Sequence, residues 1–262
     1  MKAISKRFIS NFAALKKVSI ITAVYNRKDT LARAMDSVVS QTYKHIEYIV
    51  IDGNSTDGSK EVIENYRDQL DVYISENDRG IYDALNKGLQ SATGDIVGFL
   101  HSDDYLADNT VIEKIVEAMD GCDAVYGDLE FFDRANPKAV TRFYSSKFFS
   151  PWMLRMALQP AHPTFYAKRE VYNSVGQFNL NYKISADFDW FVRFFSTTPE
   201  YKFKYQKLTS VRMQTGGAST GGLKSLYNHN KEDLVILKEN GIYSNWGFVL
   251  LKFVFKLTQI RF

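Results

Sequence analysis

The chain has 262 residues, of which 45% are hydrophobic, 24% charged and 15% aromatic, a balance that supports a packed core and excludes a disordered chain. Its single cysteine, Cys122, rules out a disulfide framework within the chain and a cysteine-based zinc site, and points to a cytoplasmic location. The net charge of +3 is uneven: residues 1–17 and 244–262 together hold eight Lys or Arg and no acid, so the body between them is net negative, the wrong distribution for a nucleic-acid binder.

Lys17 to Tyr25 is apolar and β-branched and reads as a buried strand, followed by a polar loop and a helix from Asp29 with Leu31, Met35, Val38 and Val39 on one face. Ile46 to Asp52 is a second strand that ends in the turn-rich run Gly-Asn-Ser-Thr-Asp-Gly. A helix over 59–66, a short strand over 71–75, a helix from near Gly80 and a buried strand over 95–100 follow. A helix over 109–119 leads to a strand over 123–126. This alternation predicts an α/β fold, a mostly parallel sheet with helices on both faces. Ligands of such sheets bind beyond the carboxyl ends of the strands. Three polar clusters sit at such ends, Tyr25–Asn26, Asp52 and Asp103–Asp104, and are expected to converge. Past residue 128 the alternation stops: 129–150 reads as β or loop, 170–175 and 187–195 as helix, 201–213 as strand, 215–222 as a Gly/Ser/Thr loop and 223–239 as helix.

Asp103 and Asp104 are adjacent carboxylates, costly unless a cation neutralises them, and their hard oxygens suit Mg²⁺ or Mn²⁺ shared with substrate phosphates. The same residues could equally cap a turn. Arg79 precedes an expected helix start, where it could contact a diphosphate or simply stand solvated beside a capped helix. Asp187 and Asp189 flank an aromatic and could be helix caps, or one could be a general base toward a sugar hydroxyl. His162 is held between Pro160 and Pro163 in the run Gln159-Pro-Ala-His-Pro. No Gly-x-Gly-x-x-Gly, P-loop or Gly-x-Ser-x-Gly pattern is present, which argues against dinucleotide oxidoreductases, P-loop phosphoryl transferases and the common hydrolases.

Taken in order, Val18–Asn26, Tyr48–Ser59, Asp78-Arg79-Gly80 through Asn86-Lys87-Gly88, Gly94–Asp104 and Phe178–Arg193 resemble family 2 glycosyltransferases of the GT-A fold, over roughly residues 17–222. The resemblance implies a GT-A, Rossmann-like sheet with a nucleotide-sugar-binding half (17–128) and an acceptor and catalytic-base half (129–222), flanked by an N-terminal segment (1–16) and C-terminal helices (223–262). It implies that Thr22, Ala23, Tyr25, Asn26 and Asp52 contact the nucleoside, with Asp52 accepting a base N–H, and that Arg79 faces the base or diphosphate. Asp103 would lie near ribose and metal with His101 beside the donor, Asp104 would bind Mn²⁺ or Mg²⁺ with His162 a further candidate ligand, and Asp187, supported by Asp189, would be the base. Gly216, Gly217 and Ser219, in a loop that closes over the site, and Trp190 would meet the acceptor. His101 and Ala186 stand where many members carry an acid or Asn and a Glu, respectively. The implied reaction is inverting transfer from a UDP-sugar, or a GDP-sugar, to a glycan hydroxyl, as in bacterial surface polysaccharide assembly.

Trp246, Val249, Leu250, Phe253, Val254 and Leu257 recur at helical spacing, with Lys252, Lys256 and Gln259 as the polar stripe. That pattern is too short and too charged for a span and fits an interfacial helix on an anionic leaflet, or else a helix that packs on the catalytic domain or forms a dimer. Ile4, Phe8, Phe12 and Leu15 repeat the pattern at the other end, where no signal peptide is expected. A lipid-linked oligosaccharide acceptor on the cytoplasmic face of the inner membrane would account for both tails. The rival readings are a sugar-nucleotide nucleotidyltransferase, which would need a Gly-rich basic loop where this chain has Tyr25-Asn-Arg-Lys28, and a non-catalytic sugar-binding relative.

Overall fold

Continuous β-branched runs build the centre of the sheet, because a strand covered on both faces needs apolar side chains on both. In the computed structural model, which describes residues 15–133, 136–197, 201–215 and 222–257, the first such run is β1 (Val18–Val24), buried along its whole length. Helix α1 (Lys28–Val39) follows and buries Leu31, Ala34, Met35 and Val38, an i, i+3, i+4, i+7 stripe. Then come β2 (Ile46–Asp52), α2 (Ser59–Glu64), β3 (Val72–Ser75), α3 (Ile81–Ser91), β4 (Ile96–Phe99), the short β5 (Tyr105–Leu106) and α4 (Val111–Ala118). The second half holds β6 (Ala124–Asp133), β7 (Asn136–Tyr144), β8 (Tyr166–Lys168), α5 (Arg169–Val175), α6 (Ala186–Thr197), β9 (Phe203–Gln214), α7 (Gly222–Glu239) and α8 (Trp246–Leu257).

The sheet runs β3-β2-β1-β4-β8-β6-β9-β5, with β7 paired to β6. Strands β3, β2, β1 and β4 are all parallel. Beyond them the sheet is mixed, since β8 is antiparallel to both β4 and β6 while β6 and β9 are parallel. The two-residue alternation of β1 divides the core. Ile21 and Ala23 pack with α3, α5 and α6 on one face, and Ile20 and Val24 with α1 and α4 on the other. Helix α3 lies so close to β1 that a Cβ on Gly88 would come within 2.3 Å of Ile21 Cγ2, and only glycine fits there.

At the amino edge of the sheet, away from the strand carboxyl ends, Glu47 accepts hydrogen bonds from Lys17 Nζ (2.6 Å), the Ser19 hydroxyl and the Thr93 backbone N–H (2.8 Å). Burial pushes its carboxyl up, but the bonds from Lys17, Ser19 and Thr93 outweigh that and hold it at about 2. A depressed acid contributes stability above its unfolded value and loses it as pH falls toward the folded one. Glu47→Gln is therefore expected to lower stability by about 1–3 kcal/mol at pH 7, with the gap to the parent closing between about pH 4.5 and 2, read from urea midpoints across that range.

One expectation from the sequence is reversed. Lys252, placed on the outer polar stripe of α8, is only 3% exposed and donates to Asp233 of α7 at 3.0 Å. Val249 is buried as well, and Phe248 packs on the Met153–Met156–Leu158 cluster. A buried charge needs a partner, and the one offered by α7 turns the lysine inward. The outward face is then Trp246, Leu250, Leu251 and Val254. Residues 1–14, which hold most of the basic N-terminal segment, lie outside the described residues.

Candidate active site at the carboxyl edge of the sheet

The loops after β1, β2 and β4 meet. Asn26, left-handed at φ 52°, donates its backbone N–H to Ser55 Oγ (2.9 Å) and accepts from Thr56 N–H on its side chain (2.9 Å). The Arg27 and Lys28 backbone N–H groups donate to Ser59 Oγ and the Asp57 carboxylate. Thr30 Oγ1 donates to the Ser102 carbonyl (2.9 Å), and Arg27 Nε lies 3.9 Å from Asp103 Oδ2. Asp52 is fully buried, and its carboxylate accepts from the Ser55 N–H and the Ser75 hydroxyl (2.6 Å), so it braces the loop. A Cβ at Gly53 would fall 2.3 Å from Asp78 Oδ2, which lets the Asp78–Gly80 turn press against this loop. Thr22 is buried with its hydroxyl 3.3 Å from Tyr48 Oη, Ala23 is buried, and Tyr25 stands exposed at the rim. Arg79, in the turn before α3, is exposed and paired with Asp83 in the first turn of that helix (3.2 Å).

Asp104 is the unusual group. It is buried, and neither carboxylate oxygen has a partner within hydrogen-bond geometry; the Gln214 backbone and the Arg33 charge only partly offset that burial. Burial, reinforced by the neighbouring Asp103, drives its carboxyl well above the ordinary range. Arg33 anchors the surrounding wall, its guanidinium over the rings of Tyr105 and Phe132 (4.8 and 4.7 Å) and donating to the Asp103 carbonyl (3.3 Å).

Asp187, at the start of α6, is held from two directions. Tyr82 Oη of α3 donates to Oδ1 at 2.9 Å, and Gln159 Nε2 donates to Oδ2 at 2.8 Å. Tyr82 also faces the Ile184 carbonyl at 2.6 Å, and burial together with the Asp187 charge raises its phenol strongly. Between the two acidic centres lie His101 and His162, rings 5.9 Å apart, with His162 stacked on Phe99 at 5.0 Å. Burial lowers both imidazoles, His162 to about 4, so that one is neutral at pH 7. Asp189 points elsewhere: it is buried and bonded to Arg193 Nε at 2.9 Å.

The family model for glycosyl transferase family 2 matches residues 19–196. The chain belongs to glycosyl transferase family 2. A PGL/p-HBAD biosynthesis glycosyltransferase of Mycobacterium bovis is 28% identical over 184 residues, covering 68% of this chain and 69% of that one. The fold resembles that of Staphylococcus aureus TarS 1–349 in complex with UDP-GlcNAc (TM-score 0.63, 19% identity, 84% of this chain and 66% of that one). It also resembles a Pyrobaculum calidifontis mannosyltransferase in complex with GDP-Man and Mn²⁺ (TM-score 0.63, 18% identity, 87% of this chain). The chain spans 66% and 64% of the length of those two proteins. Both are GT-A glycosyltransferases, and the fold here is of that class.

Within this family 2 enzyme the residues separate by position. Asn26, Asp52 and Asp103 gather at the carboxyl edge through the loop contacts given above, and Asp104 follows Asp103 directly. Trp190, expected at the acceptor, is instead 1% exposed: it stacks on Tyr172 at 4.7 Å and Phe194 at 5.5 Å and donates its indole N–H to the Gly176 carbonyl. The helical period of α6 puts it on the core face with Phe191 and Phe194, where no acceptor can reach. Gly216, Gly217 and Ser219 lie outside the described residues. Among the described residues no three His, Cys, Asp or Glu side chains cluster closely enough to hold a metal by themselves, so His162 does not complete a protein-only site with the Asp pair. Tyr82, Gln159 and Arg33 carry contacts that the sequence reading gave no role. Only the adjacency of Gln159 to His162 in the Pro-bracketed run hinted at one of them.

Proposed function

We propose that this glycosyltransferase moves a sugar from a nucleoside diphosphate donor, UDP- or GDP-linked, to a hydroxyl of a glycan acceptor by a single displacement with inversion. The observation that carries the reading is the placing, to either side of His101, of a buried carboxylate whose oxygens lack a hydrogen-bond partner (Asp104, beside Asp103) and a second carboxylate held by two donors (Asp187). The UDP-GlcNAc and GDP-Man of the two similar structures support the donor class. Tyr25, Asn26 and the buried floor of Thr22, Ala23 and Asp52 would take the nucleoside, with Arg79 and His101 toward the diphosphate. Residues 17–128 would then be the donor half, 129–222 the acceptor half, and Gly216, Gly217 and Ser219 part of a closing loop.

The unpaired oxygens of Asp104 beside Asp103 fit a divalent cation, Mn²⁺ or Mg²⁺, because such ions take one or two carboxylates and complete their shell with substrate phosphates. When bound it would supply positive charge at the departing diphosphate. The chain's own part is to orient and to move one proton. The acceptor hydroxyl gives its proton to an Asp187 oxygen as its oxygen bonds to the anomeric carbon. The bond from that carbon to the diphosphate oxygen breaks, and the nucleoside diphosphate leaves with the electron pair. The test is a panel of UDP-, GDP- and dTDP-sugars with Mn²⁺, Mg²⁺ or EDTA, followed by release of nucleoside diphosphate and by the anomeric NMR signal of the product. One donor is expected to turn over, with inversion and with EDTA sensitivity. Retention of configuration, or turnover indifferent to EDTA, would overturn the respective part of the reading.

The acceptor we propose is lipid-linked and met at the cytoplasmic face of the inner membrane, in polysaccharide biosynthesis. No described helix is long and apolar enough to cross a membrane. What supports attachment is the outward apolar face of α8 in a segment with no acid from residue 240 onward. Replacing Trp246, Leu250 and Val254 with Ser is expected to weaken sedimentation with vesicles of phosphatidylglycerol and phosphatidylethanolamine by about tenfold per side chain. A parent protein that stays in the supernatant would sink this assignment.

A further inference from the structure

Gln159 donates to Asp187 Oδ2, and that contact fixes which way its amide points. An ionised carboxylate only accepts, so the NH₂ must face Asp187 and the carbonyl Oε1 must take the other side. That Oε1 is buried and has no hydrogen-bond partner. Swinging the amide away would break its bond to Asp187, and the backbone beneath it is held by Tyr144 Oη, which donates to the Gln159 carbonyl at 2.6 Å. An acceptor oxygen left without a donor in a buried setting is a standing cost, relieved only by an incoming donor.

We infer that Gln159 binds the acceptor sugar: its Oε1 receives the hydroxyl neighbouring the one that Asp187 deprotonates, so the enzyme requires an acceptor with a vicinal diol. The two accepting atoms, an oxygen of Asp187 and Oε1 of Gln159, sit on side chains bonded to each other and therefore present adjacent acceptor positions. A planar amide bonded at 2.8 Å through its NH₂ leaves Oε1 roughly 4–5 Å from Oδ2, a gap that two hydroxyls on neighbouring carbons can bridge, each donating to one oxygen. A lone hydroxyl, such as a phenol or a primary alcohol without a neighbour, satisfies Asp187 and leaves Oε1 unpaired. Tyr82 and the Ile184 carbonyl occupy the far side of Asp187, so the second hydroxyl has one place to go. The inference rests on Asp187 being the base and adds the chemical class of the acceptor.

The test uses the full chain with the donor found by nucleoside diphosphate release. Acceptors are octyl glycosides covering the cis and trans vicinal diols, their monodeoxy counterparts at the position next to the new linkage, and 4-octylphenol and 1-octanol as lone hydroxyls. The parent enzyme is expected to lose about 10- to 100-fold in kcat/KM on the deoxy acceptor. Gln159→Met should lose a similar factor on the diol and nothing further on the deoxy compound. Equal use of diol and deoxy acceptors, transfer to the lone hydroxyls at the diol rate, or transfer to none of the diols by an enzyme that hydrolyses its donor would each overturn the inference. The deoxy comparison on the parent enzyme decides it even if Gln159→Met does not fold. Donor release with no acceptor present tells its failure apart from failure of the donor reading.

Discussion

Asp187→Asn should lower kcat by about 10²- to 10⁴-fold, the usual contribution of a positioned general base, while nucleoside diphosphate binding stays at the parent value. Asn keeps the shape of the side chain and can still accept from Tyr82 or Gln159 through its one carbonyl oxygen, so the fold is not at issue. What it cannot do is take a proton from an acceptor. Tyr82 has one proton and faces two acceptors, Asp187 Oδ1 and the Ile184 carbonyl. Once Asp187 has gained the acceptor's proton, it can donate to Tyr82 Oη while Tyr82 donates to Ile184, and every group is satisfied. Single-turnover rates with donor and acceptor saturating read this effect. Asp189→Asn is the contrast: its carboxylate is committed to Arg193, so its loss should appear in stability before it appears in kcat. A kcat for Asp187→Asn within tenfold of the parent, or a larger loss for Asp189→Asn, would move the base elsewhere.

Asp104→Asn should cost about 10³-fold in turnover, in line with the several kcal/mol that a cation supplies to a departing diphosphate, and should leave the protein in EDTA at least as stable as the parent. Function and stability pull apart here because Asp104 is buried without a partner and its ionised form is strongly disfavoured. Removing that charge relieves the metal-free fold. Thermal melts with and without Mn²⁺ would show a cation-dependent rise in the parent that the variant lacks. A variant that melts well below the parent in EDTA would mean that Asp104 supports the fold through contacts other than those seen.

The parallel half of the sheet was legible because β1, β2 and β4 are unbroken apolar runs bounded by turn residues, and the polar clusters at their ends fell where such sheets bind ligands. Strands β5 and β8 were not, being two and three residues long with no period to read. Their places are set by distant partners, β8 between β4 and β6 and β5 against β9. The acids of α6 were visible, but not that Trp190, next after Asp189, turns into the core, since an aromatic beside a carboxylate looks the same on either face. Lys252 was misread for a similar reason: helical spacing defines two faces but not which one meets the protein, and the deciding Asp233 lies on another helix. Tyr82 left no trace, and Gln159 none beyond its place in the Pro-bracketed run, because their shared partner, Asp187, is 105 and 28 residues away in the chain.

The central claim is that the edge formed by Asn26, Asp52, Asp103 and Asp104 takes a nucleoside diphosphate together with a divalent cation. Titration calorimetry of UDP, GDP and dTDP into the full chain, in Mn²⁺ and in EDTA, tests it directly. One diphosphate should bind in Mn²⁺, with affinity falling sharply in EDTA and in Asp104→Asn. Absence of binding by all three, or an affinity unchanged by EDTA and by Asp104→Asn, would contradict it.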